Sequence, residues 1–175
     1  MNDLIRWIRD HTPPDADLDR PALAQLAIDL GRNRMFWTGH VRHEPASRYY
    51  YQLYRDPHLD VWLQCWIGGQ ETGYHDHDVS SGAVYVCDGT LFEDSFQRDP
   101  DGWIRERTTA RPAGSVFHFD PSYIHGLRHP KTDEPSTSIH CYSPALWRMG
   151  HYEPDATGQL RRISMTYADE LLGVA

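Results

Sequence analysis

Hydrophobic positions at the start of the chain recur at helical spacing. Leu4, Ile5, Trp7 and Ile8 give residues 1–10 one apolar face, and the short helix they predict stops ahead of Pro13-Pro14. A second helix is expected over residues 20–31. Asp19 suits its N-cap and Pro21 its first turn, Leu23, Leu26, Ala27 and Leu30 line one face, and Gly31 closes it. From about residue 48 the period shortens to two. Segments 48–54, 59–67, 74–77, 82–87, 90–96, 103–108, 115–119 and 137–142 are short, rich in β-branched and aromatic residues, and bounded by Gly, Pro or Asp. Asp88-Gly89 and Asp101-Gly102 read as hairpin turns. Many short strands at even spacing predict a sandwich or barrel. The expected fold is therefore mainly β, a jelly-roll barrel over 46–150 preceded by two N-terminal α-helices within 1–45. Residues 151–175 are expected to form a tail packed on the barrel, strand or coil first and then a short helix over 167–172.

Composition narrows the class. A chain of 175 residues is one domain's worth and buries a core without staples. No run approaches the roughly 20 apolar residues of a membrane span, and the N-terminus lacks a signal pattern, so a cytoplasmic protein without a membrane partner is expected. The three cysteines, Cys65, Cys87 and Cys141, are odd in number and form no CxxC, which suits a reducing compartment. A net charge of -8 disfavours nucleic acid as a partner. A monomer or small homo-oligomer is expected. Eleven histidines raise the question of metal or proton chemistry.

The richest segment is Gly69-Gln70-Glu71-Thr72-Gly73-Tyr74-His75-Asp76-His77. On a strand, residues two apart share a face, so His75 and His77 point together and Asp76 points away. Two imidazoles on one strand make a clamp that redox metals such as iron accept. An exposed strand carries such a pair by chance as well. A second hairpin is expected around Gly114, Pro121 and His125; if it faces the first, His125 completes a ligand triad, with His129 and His118 as rivals.

Gly69-x5-His75-x-His77-x4-Gly82-x6-Gly89 has the spacing of the first cupin motif, with Gly82 where most cupins have Glu. Gly114, Pro121 and His125 form a looser second motif. A three-histidine cupin of this kind resembles the cysteine dioxygenase, or thiol dioxygenase, family. The run Ser138-Ile139-His140-Cys141-Tyr142-Ser143-Pro144 is similar to that family's Ser-x-His-x-Tyr relay, and alternation puts Ser138, His140 and Tyr142 on one face. The resemblance covers roughly residues 48–153. It implies Fe(II) on His75, His77 and His125, O₂ as co-substrate, a small carboxylate-bearing thiol such as cysteine or 3-mercaptopropionate, and a sulfinate product. Nickel and other divalent transition metals also accept imidazole.

Two departures qualify the resemblance. Mammalian-type members have a cysteine, crosslinked to the relay tyrosine, where this chain has Gly82, so no Cys-Tyr crosslink is expected. The family arginine that pairs with the substrate carboxylate aligns with Gln52, beside Tyr50 as a pocket tyrosine. Arg148 is one substitute, as in the subgroup that prefers 3-mercaptopropionate, and a shifted alignment offers Arg55 instead. The same metal face suits two other outcomes: an unusual oxidation or rearrangement of a thiol amino acid, and a non-catalytic ligand-binding cupin.

Overall fold

The computed structural model describes residues 3–98, 104–154 and 160–166. Helix α1 runs Asp3–His11 and α2 Arg20–Arg32. Asp19 caps α2, its carboxylate accepting from the Ala22 amide at 2.9 Å. Contrary to expectation, α2 does not close at Gly31 but continues to Arg32 and the Asn33 cap. Gly31 answers a packing need instead: a Cβ there would collide with the Tyr85 ring of a strand beneath. Two short 3₁₀ turns, Arg34–Phe36 and Thr38–His40, lead into the sheets.

Among the described residues eleven strands follow: β1 Tyr49–Arg55, β2 Asp60–Trp66, β3 Tyr74–Asp76, β4 Ser81–Asp88, β5 Thr90–Arg98, β6 Ile104–Pro112, β7 Val116–Phe119, β8 His125–Arg128, β9 Ser136–Ser143, β10 Arg148–Pro154 and β11 Leu160–Thr166. They form two antiparallel sheets, β1-β2-β9-β4-β7 and β11-β10-β3-β8-β5-β6. The described strands do not join into one closed hydrogen-bonded cylinder. The region read as a tail begins with a β10–β11 hairpin that pairs onto β3. The Asp101-Gly102 turn and the helix expected over 167–172 lie outside the described residues.

The central strands of the first sheet, β2, β4 and β9, are buried on both faces, and this explains their near-continuous apolar character. One face, with Val61, Leu63, Cys65, Ala83, Tyr85, Ile139 and Cys141, packs under α1 and α2. The other, with Trp62, Trp66, Val84, Val86 and Tyr142, meets Leu91, Leu127 and Met149 of the opposing sheet. Alternation on β9 therefore sends Ile139 and Cys141 to the helices and Ser138, His140 and Tyr142 to the space between the sheets. No described helix is long and apolar enough to cross a membrane.

Candidate active site

The second sheet sets the histidines side by side. His75 on β3 lies directly opposite His151 on β10 and His125 on β8, and His125 opposite Ser95 on β5. Directly opposed residues share a face, so this is one row pointing between the sheets. His77, just past β3, joins it. One nitrogen from each of His75, His77 and His125 lies within 4.8 Å of the others, and all three rings are buried. Burial, and then the neighbouring imidazoles, hold His75 and His77 well below the ordinary histidine range, so both are neutral and keep lone pairs to offer. Both ring nitrogens of His77 lack a hydrogen-bond partner among the described residues. A buried imidazole left so is costly unless a ligand completes it, and the set fits a transition metal that takes imidazole.

The partners of the three rings differ. His75 Nδ1 faces the Gly73 carbonyl at 3.1 Å. His125 Nδ1 faces Glu93 Oε1 at 3.1 Å. Glu93, on β5, is buried, and its carboxylate also accepts from Arg111 at 2.9 and 2.5 Å and from the Tyr123 hydroxyl at 3.2 Å. Burial pushes the Glu93 carboxyl up, but the hydrogen bonds from His125 and Arg111 outweigh it and bring it below the usual range. The His77 ring is held by stacking against Phe119 and Tyr142, with centroids at 4.4 and 5.2 Å.

Asp76 points the other way, as alternation requires. It accepts from Arg162 at 2.6 and 2.8 Å, from Tyr152 at 2.7 Å and from the amides of Asp78 and Gly150. Burial acts to raise its carboxyl; these donors overcome that and lower it to about 2.

Across the gap, Trp66 Nε1 donates to Ser138 Oγ at 2.9 Å, Ser138 Oγ lies 2.8 Å from His140 Nε2, and His140 Nδ1 lies 3.2 Å from the Tyr142 hydroxyl. Burial, followed by the charge of Arg48, keeps His140 neutral. A neutral ring donates from one nitrogen and accepts at the other, so the row can carry hydrogen bonds in either sense. Gly82 lies directly between Phe119 and Tyr142 on the same sheet face, and the Phe119 ring fills the space a side chain there would take.

His75 and His125 of the triad and His140 and Tyr142 of the relay open on one cavity of about 550 Å³, including space open to solvent. Tyr50, His75, His125, His140 and Tyr142 line it together with Arg48, Gln64, Thr72 and apolar walls from Trp62, Leu127, Leu146 and Met149. Three of the residues singled out for substrate stand elsewhere. Gln52 is on the inner-face row but donates to Asp60 at 3.0 Å. Arg55 pairs with Asp60 and donates to the Leu146 carbonyl at 2.8 Å. Arg148 is 63% exposed and pairs with Asp78 at 3.4 Å. The cation lining the cavity is Arg48, which donates to the Glu71 carbonyl at 2.9 Å and lies 5.0 Å over the Trp66 ring. Of the rivals for the third ligand, His118 is exposed and His129 is buried outside the cluster. Sequence reading put Arg48 at the head of the strand over 48–54 without a role, and assigned none to Glu93. The signal for Glu93 was present: Leu91, Glu93 and Ser95 alternate, which places an acid on an apolar inward face.

A family model described as cysteine dioxygenase type I matches residues 14–154. Cysteine dioxygenase type 1 of Rattus norvegicus and of Mus musculus are each 24% identical over 113 residues, covering 62% of this chain. The match spans 56% of their length, so this chain corresponds to a little over half of those relatives. Among solved structures, a cupin superfamily protein from Desulfitobacterium hafniense DCB-2 superposes with a TM-score of 0.50 at 6% identity, covering 63% of this chain and 89% of that one. At that identity the likeness concerns the fold alone.

Proposed function

The chain belongs to the cysteine dioxygenase type I family, and from that premise we propose that it is a thiol dioxygenase that adds both atoms of O₂ to the sulfur of a small, carboxylate-bearing thiol, giving a sulfinate and releasing a proton. One observation carries the reading: three buried imidazoles cluster, one of them with no hydrogen-bond partner among the described residues, and two of them line the cavity that Tyr142 and the Arg48 guanidinium also line.

His75, His77 and His125 would hold Fe(II). Iron, when bound, supplies the redox chemistry for O₂ and the charge that strips the thiol proton. The chain's residues do the positioning. The guanidinium of Arg48 offers a planar fork to a carboxylate, a match that favours cysteine or 3-mercaptopropionate over cysteamine. The described residues lining the cavity include no acid to oppose that anion. Trp62, Leu127, Leu146 and Met149 exclude water from the carbon chain. With Ser138 donating to His140 Nε2, His140 donates from Nδ1 to Tyr142, and the phenolic proton turns toward the cavity and the reacting sulfur.

The test loads the protein with Fe(II) without oxygen, then admits O₂ with cysteine, 3-mercaptopropionate, cysteamine and homocysteine in turn, following uptake and product mass together. The expected result is coupled uptake and a gain of two oxygens on a thiol bearing a carboxylate. Uptake with a rearranged product would replace the reaction, and no uptake by iron-loaded protein with any thiol would end the reading.

A further inference from the structure

The three candidate ligands are not equivalent, and the difference lies behind them. The remote nitrogen of His75 meets a neutral carbonyl, while that of His125 meets a buried carboxylate. Glu93 reaches His125 diagonally across the sheet. It pairs directly with Leu127, two residues along β8, and Oε1 bridges to His125 Nδ1 at 3.1 Å. The other oxygen, Oε2, takes both the Nε and the Nη2 of Arg111, one strand further out on β6. Arg111 itself lies over the Phe117 ring at 4.5 Å. A line of charge therefore runs Arg111–Glu93–His125 from the sheet surface to the triad.

We infer that Glu93 is a positioning residue for the metal, fixing His125 with its proton on Nδ1 and Nε2 toward the ion, and that Arg111 sets how much of the Glu93 charge the ion feels. This deepens the metal role of the triad and rests on that part of the reading above, not on thiol chemistry. Glu93 holds the tautomer through a hydrogen bond to Nδ1–H. Its negative charge also draws that proton away from the ring and makes Nε2 the stronger donor. Arg111 pulls the same charge in the opposite direction, so the two residues act on the ion with opposite sign.

That opposition separates an electrostatic role from a structural one. Glu93→Gln keeps an acceptor for Nδ1–H but removes the charge, while Arg111→Gln leaves Glu93 in place and removes its counter-charge. Each variant is titrated with Co(II), reading affinity and ligand-field bands, and the Fe(III)/Fe(II) potential is measured on iron-loaded protein. Glu93→Gln is expected to lower Co(II) affinity ten- to a hundredfold and to raise the potential. Arg111→Gln is expected to tighten Co(II) binding and to lower the potential. Shifts of the same sign in both variants, or no shift in either, overturn the inference. If Glu93→Gln does not fold, Arg111→Gln decides alone: weaker binding or a raised potential refutes it. Opposed shifts in a protein that oxidises no thiol would leave this inference standing and remove the dioxygenase reading.

Discussion

Replacing Gly82 with alanine tests whether the Phe119–Gly82–Tyr142 row is packed as closely as its geometry requires. A Cβ at residue 82 would sit about 1 Å inside ordinary carbon–carbon contact of two Phe119 ring atoms. It would also lie 3.1 Å from Tyr142 Cδ1. Phe119 cannot retreat freely, since its ring already lies 4.4 Å from His77, 4.6 Å from His125 and 5.9 Å from Tyr123, centroid to centroid. Overpacking of this kind costs about 1–3 kcal/mol. For a chain of this length that is a fall in melting temperature of about 2–12 °C. Because the displaced ring presses on two candidate ligands, Co(II) affinity should fall with stability. Phe119→Leu opens space in the same row, so the double variant should be more stable than the two single changes predict, with a coupling of about 0.5–3 kcal/mol. The assays are urea unfolding of the metal-free protein and Co(II) titration of all four forms. Alanine tolerated within about 0.5 kcal/mol, or strict additivity with Phe119→Leu, would refute the reasoning.

Other outcomes follow from the same geometry. Arg48→Ala should raise KM for 3-mercaptopropionate and cysteine by about ten- to a hundredfold, the loss of a charged hydrogen bond of about 1.5–3 kcal/mol, with little change for cysteamine, and Arg48→Lys should recover only part; equal effects on all three thiols would remove Arg48 from carboxylate binding. Burial pushes the Asp60 carboxyl up to about 6 against the pull of Arg55. Its folded value thus lies above its unfolded one, so its contribution to stability is complete below about pH 4 and is lost as pH rises through 6. The stability of wild type minus that of Asp60→Asn should therefore fall between pH 4 and 6, by at most about 1.4 kcal/mol per pH unit in urea unfolding, and a difference that rises there contradicts the assignment. Cys65 and Cys141 are buried, and burial lifts the half-buried Cys87 thiol to about 12, so iodoacetamide at pH 8 should label the native protein slowly and three thiols only after denaturation, read by mass.

What the chain reveals in advance depends on how local its cause is. The strand that carries His75 and leads into His77 announces itself by alternation, and the inward face of β9 by Ser138, His140 and Tyr142 at steps of two. Gln52 shows where such reading stops. It lies on the expected inner row, but a register shift between Gln52 and Tyr54 and the buried Asp60 decide what its amide touches. Asp60 captures Arg55 as well, while Arg48 reaches the cavity from outside any strand. The β10–β11 hairpin has its partner in β3, far back in sequence, and no local pattern encodes that pairing, so sequence alone gives only a tail there. Gly31 has the pattern of a helix stop, yet its role is close contact with the Tyr85 ring.

The fork from Arg162 to Asp76 spans 86 residues of sequence. It closes over a strand only three residues long, which has β10 on one side and β8 on the other. During synthesis His75 and His77 leave the ribosome long before either neighbouring strand exists. The centre is thus assembled backwards, its first two donors waiting on the last strands to be made. A nascent chain stalled before residue 148 would hold all three imidazoles but would lack the β10 pairing and the Arg162 fork that secure β3 on its other side. A lesion in the far hairpin is therefore expected to loosen the strand that carries His75, and the metal content of the folded protein reads that loss.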